Sequence, residues 1–79
     1  MPLTVFARLK LLIIEQLGVE EDEVTASASF TDDFNADSLE LADLVSSIEE
    51  EFGLNIPGDD ARRLLTVQEV VDYLEERIA

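Results

Sequence analysis

Apolar residues recur at helical spacing in three separate stretches of this chain, and the segments between them lose that period. In the first stretch Val5, Leu9, Leu12, Ile13 and Leu17 share one face, which predicts an amphipathic helix from about Val5 to Leu17. Thr4 is placed to cap it and Gly18 to stop it. Phe6, Leu11 and Ile14 are surplus to the stripe and are read as widening the packed face of a small bundle, with an exposed association patch as the lesser alternative. A second helix is predicted from about Ser38 to Phe52, with Leu41, Leu44, Val45, Ile48 and Phe52 inward and Glu40, Asp43, Ser47 and Glu50 outward. Glu49 and Glu51 flank that polar face, and Gly53 ends the helix. Val67, Val70, Val71, Leu74 and Ile78 form the apolar face of a last helix, opened by the capping box Thr66-Val67-Gln68-Glu69.

Between these stretches, Pro57-Gly58 restarts the chain, and Asp59 or Asp60 is expected to cap a short third helix reaching about Leu64. Residues Val19 to Ala36 read as a long loop, with Val19, Val24, Phe30 and Phe34 as its buried anchors. A loop of that length inside a compact domain is either functional or pinned by such side chains. No strand pattern and no repeat interrupts the helical reading, so the expected fold is a small all-α four-helix bundle forming one domain over residues 1–79.

At 79 residues the chain is near the lower limit for a core that needs no disulfide or metal. It contains no cysteine and no histidine, which removes disulfides, thiolate and imidazole metal ligands, the cysteine nucleophile and the usual general base. An enzyme is therefore not expected, nor a dedicated metal site. Nineteen acidic residues against five basic ones give a net charge of −14, and no Lys or Arg stands between Lys10 and Arg62. Such a field repels nucleic acid and anionic membranes and favours basic protein partners. A hydrophobic content of 47% with clear periodicity argues against disorder. The longest apolar run, Leu11-Leu12-Ile13-Ile14, is far too short to span a bilayer. A cytoplasmic monomer with no membrane insertion is expected.

The segment Asp33-Phe34-Asn35-Ala36-Asp37-Ser38-Leu39-Glu40-Leu41 organises the rest. With Asp37 as N-cap and Glu40 three residues on, two orphan amides of the second helix can be satisfied reciprocally. Ser38 then falls at the first helical position, where its hydroxyl is not needed for capping and can project into solvent. By itself such a serine is an ordinary first-turn residue. Asp33, Asn35 and Asp37 also match positions one, three and five of an EF-hand loop, but Ser38 stands where the turn needs glycine and Leu44 where a bidentate glutamate belongs. Weak divalent binding by the acidic loops, or an acidic adaptor without covalent cargo, remains the rival from another class.

Asp37-Ser38-Leu39-Glu40, followed by Leu44-Val45, Ile48-Glu49-Glu50-Glu51-Phe52 and Ile56-Pro57, resembles acyl carrier proteins of the bacterial fatty-acid-synthesis type. The likeness runs from Gln16-Leu17-Gly18-Val19 to Asp72-Tyr73 without a gap. It implies that Ser38 carries 4′-phosphopantetheine, installed from coenzyme A by a holo-acyl-carrier-protein synthase, and that acyl chains ride on the arm as thioesters. Cysteine being absent, the thiol then comes from the arm. The resemblance also implies docking of fatty-acid-synthesis enzymes with basic patches on a face containing Asp37, Leu39, Glu40, Asp43, Glu49 and Glu50. Leu44, Ile48, Ile56, Ala61, Leu65 and Tyr73 are most simply core residues, and the family suggests that they also line a cleft for the acyl chain. Three positions depart from the family pattern: Phe34 and Asn35 where Leu and Gly are common, and Ser46 where a methionine is frequent. They leave open a carrier dedicated to a specialised lipid or polyketide pathway.

Overall fold

The computed structural model describes residues 3–78. Four α-helices follow in order: α1, Val5–Leu17; α2, Ser38–Phe52; α3, Gly58–Ala61; and α4, Val67–Ile78. Each long helix begins and ends for a local reason. Thr4 accepts a hydrogen bond from the Ala7 amide at 3.0 Å, and Gly18 and Gly53 adopt left-handed backbone (φ 68° and 66°) that closes α1 and α2. At α4, Thr66 Oγ1 accepts from the Glu69 amide while Glu69 Oε1 accepts from the Thr66 and Leu65 amides. The capping box expected there is formed.

α1 packs against α2 and α4. Leu9, Ile13, Val67 and Leu74 are fully enclosed at the centre, with Leu44, Ile48, Val70 and Val71 around them. Phe6 and Ile14 pack against this core, as the wide-face reading of α1 requires, whereas Leu11 is 57% exposed. Ile78, expected on the inner face of α4, is 44% exposed, and Leu74 is the last buried residue of that helix. The radius of gyration, 11.5 Å, is about that of a compact chain of this length.

The segment between α1 and α2 is held by backbone rather than left free. A 3₁₀ turn spans Glu21–Glu23, and Val24, Ala28, Phe30 and Phe34 are buried. Phe30 and Phe34 meet edge to face at 5.8 Å. The Val67 and Gln68 amides donate to the carbonyls of Ala28 and Ala26, and the Phe30 amide donates to the Leu65 carbonyl. These bonds tie the loop to the start of α4, through an isolated antiparallel bridge between Ser29 and Thr66. No strand occurs among the described residues.

At α3 the expected cap is wrong. Pro57 occupies the N-cap position without a side-chain bond, and Asp59 and Asp60 lie inside the helix. Pro57 has no donor to lose and its fixed φ of −58° leads directly into a turn, so neither aspartate is needed for capping. The helix ends at Ala61, and tighter turns from Asp60 to Arg63 and Ala61 to Leu64 carry the chain to Leu64. Asp60 instead reaches α4, accepting from the Tyr73 hydroxyl at 2.7 Å and from Arg77 at 3.2 Å. The Tyr73 hydrogen bond, with Arg77 behind it, holds the Asp60 carboxyl below its ordinary pKa.

Candidate functional site

Ser38 is presented by its neighbours. The Asp37 carboxylate accepts from the Glu40 amide at 2.8 Å, and Glu40 reaches back to accept from the Asp37 amide at 3.0 Å. This reciprocal pair pins the first turn of α2 and leaves the Ser38 hydroxyl without a capping task. Upstream, Asn35 takes left-handed backbone at φ 54°, a region that asparagine tolerates better than other residues with a Cβ. The turn where the family pattern favours glycine is thus made by Asn35. One residue later the Ala36 amide donates to the Phe30 carbonyl at 3.0 Å. Phe30 is itself fastened to Leu65, so the approach to Ser38 is anchored to both the loop core and the α3–α4 connection.

Ser38 stands at the border of an apolar cleft of about 530 Å³, a volume within the roughly 300–1,000 Å³ of small-molecule sites. From α2 it is walled by Leu41, Ala42, Leu44, Val45 and Ile48; Phe30 contributes from the loop and Val70 from α4. Ile56, Gly58, Ala61, Arg62 and Leu64 close the remaining side. Leu44, Ile48, Ile56 and Ala61 are therefore brought together as expected. Leu65 and Tyr73 are not. Leu65 is 62% exposed, its carbonyl taken by Phe30 and its side chain outside the cleft. Tyr73 is half-buried against the core, with its hydroxyl bonded to Asp60. Leu41 and Val45 were legible as the next turns of the α2 stripe above Ser38, and Phe30 as a buried loop anchor, but that Phe30 lines this cleft was not legible, since its backbone is fixed by the distant Leu65.

Residues 7–74 match the family described as the phosphopantetheine attachment site. A relative called acyl carrier protein, from Bdellovibrio bacteriovorus, is 51% identical over 75 residues, covering 95% of this chain and 96% of that protein. The chain belongs to the phosphopantetheine-attachment family of acyl carrier proteins. Its cofactor is accordingly 4′-phosphopantetheine, and it is a carrier rather than a catalyst. The local chemistry fits that group: an exposed hydroxyl free of hydrogen bonds among the described residues, at a helix start, beside an apolar cleft.

The acidic face of this acyl carrier protein divides by the use made of each carboxylate. Asp43 and Glu50 are exposed and enter no hydrogen bond or ion pair among the described residues. Asp37 and Glu40 are also exposed, but their oxygens serve the capping box. Glu49 is half-buried and accepts from the amide of buried Ile56 at 2.7 Å. Its carboxylate is thus engaged with the chain leaving α2, unlike those of Asp43 and Glu50 on the expected docking face. Leu39, 71% exposed, is the large apolar side chain of that face. Asp33, first of the EF-hand-like positions, accepts from the Ser29 amide at 2.6 Å, and Asp37 is committed to α2. The first carboxylate holds the loop and the second the start of α2.

Proposed function

We propose that Ser38 is the residue that bears 4′-phosphopantetheine and that the cleft beside it shelters the front of an acyl chain carried as a thioester. The observation that carries this reading is that Ser38, alone among the serines, lines the apolar cleft while its hydroxyl stays exposed and uncommitted. In loading, the Ser38 oxygen forms a bond to the phosphorus nearer the pantetheine of coenzyme A. The pyrophosphate P–O bond breaks, 3′,5′-adenosine bisphosphate leaves, and the serine proton passes to a base on the synthase. The bound group supplies the thiol that this cysteine-free chain lacks. The residues of the chain hold Ser38 at the first turn of α2, keep the cleft apolar and present the acidic face.

Asp43 and Glu50, with Leu39 between them and Ser38, form the face offered to basic partners: the holo-synthase and the enzymes of fatty-acid synthesis, in the cytoplasm. Complementary charge there raises encounter rates and fixes orientation. The fatty-acid role is supported by the acidic character of α2 and by Asp37 preceding the serine. Co-expression with a phosphopantetheinyl transferase tests the attachment: intact wild-type protein gains the mass of the arm and Ser38→Ala does not. A modified Ser38→Ala protein refutes the assignment.

A further inference from the structure

One cation shares the cleft with Ser38. Arg62 lies in the connection after α3, and among the cleft-lining residues it alone is positively charged. From residue 11 to residue 61 the sequence has no Lys or Arg, while Asp37 and Glu40 flank the serine. A phosphodiester added at Ser38 thus enters a field of like charge, and the lining of the cleft beside it offers one counter-charge. Arg62 is available for it. Among the described residues its guanidinium is engaged only by Asp59, at 3.3 Å, in a pair whose side chains are 82% and 87% exposed. Exposed pairs of this kind contribute little and exchange readily, and an arginine fork matches phosphate oxygens better than it matches a single carboxylate oxygen. Arg8, Lys10 and Arg77 are engaged elsewhere, with Glu51, Glu21 and Asp60, and Arg63 does not line the cleft.

We infer that Arg62 is a positioning residue that pairs with the phosphodiester on Ser38 and draws the base of the arm toward the α3 side of the cleft. The inference rests on Ser38 being the attachment point. With the arm attached, the guanidinium would exchange Asp59 for the phosphate, on the side of the cleft lined by Ile56 and Ala61. The effect is electrostatic and weakens as salt screens it.

The test loads wild type, Arg62→Gln, Arg62→Lys and Arg63→Gln with a phosphopantetheinyl transferase and first verifies each by intact mass. If wild type takes no arm, the attachment reading fails and this inference falls with it. On the loaded proteins, two readouts follow: the Arg62 Nε–Hε resonance with and without the arm, and the change in Tm on loading at low and high salt. In wild type the resonance shifts on loading. Arg62→Gln makes the Tm change on loading less favourable by roughly 2 °C at low salt, the scale of an exposed charge pair in a domain this small. Arg62→Lys recovers part of the loss, Arg63→Gln leaves the change as in wild type, and high salt abolishes the difference. Because each variant is compared with its own unloaded form, the difference reads the phosphate pair less the Asp59 pair that it replaces. An unmoved Arg62 resonance, or an equal effect from Arg63→Gln, overturns the pairing and leaves the attachment site intact.

Discussion

Replacing Glu49 separates a structural carboxylate from a docking one. Its Oε2 accepts from the Ile56 amide at 2.7 Å, and Ile56 is only 6% exposed, so little water can take its place. Stranding a buried donor costs about 1–3 kcal/mol. Taking about 1.5 kcal/mol for this partly buried site, and about 4–8 °C of Tm per kcal/mol for a domain of this size, Glu49→Ala should lower Tm by about 6–12 °C. Removing one negative charge from a chain of net charge −14 works against this, which makes the lower end the safer expectation. Glu49→Gln keeps an acceptor oxygen and should lose less than half as much. Because Ile56 lines the cleft, the Ala variant should also hold acyl chains less well, seen as faster hydroxylaminolysis of an acyl thioester. Thermal melts of the unloaded protein by circular dichroism decide the matter. If Glu49→Ala and Asp43→Asn melt alike, within about 2 °C of wild type, the Ile56 bond does not hold the cleft wall and Glu49 returns to the outward face.

Further outcomes follow from the same structure. Asp43→Lys should slow transfer to partner enzymes at low salt while circular dichroism stays native, since Asp43 is exposed and uncommitted; unchanged kinetics would make it only solubilising. Glu40 is a poorer site for that test because its carboxylate caps α2. Millimolar Mg²⁺ or Ca²⁺, or moderate NaCl, should raise Tm near pH 7 by screening carboxylate repulsion, and an unchanged midpoint would remove self-repulsion as the limit on this fold. Asp60 has a folded pKa below its ordinary value of 3.8, chiefly through the Tyr73 hydroxyl. Its contribution is therefore present above that value and lost as pH falls through the lower folded one. Tyr73→Phe should flatten the acid side of the stability profile below about pH 4, and an acid limb identical to wild type would refute the link.

What the sequence disclosed were features that depend on neighbours a few residues away. The Thr4, Asp37 and Thr66 caps, the glycine stops and the inward stripes of the three long helices are set by local hydrogen bonds and a fixed helical period. That Leu44, Ile48, Ile56 and Ala61 line a cleft was implied by the family resemblance, not by the helical period, which gave them only as core residues. Leu65 stands between two helices, where no period fixes its direction, and Tyr73 stands on α4 beside the inward stripe; each is directed by the partner its backbone or hydroxyl finds. For Leu65 that partner is Phe30, and for Tyr73 it is Asp60. The separation of Glu49 from Glu50 was likewise hidden, since both look polar on α2 and only the return of the chain at Ile56 distinguishes them.

The central claim is the attachment at Ser38, and site localisation tests it most directly. Wild-type protein loaded by a phosphopantetheinyl transferase, digested and read by tandem mass spectrometry, should carry the arm on the peptide containing Asp37-Ser38-Leu39, with fragment ions on either side of Ser38 bracketing the added mass. An arm found on Ser27, Ser29, Ser46 or Ser47, with Ser38 unmodified, would contradict the account.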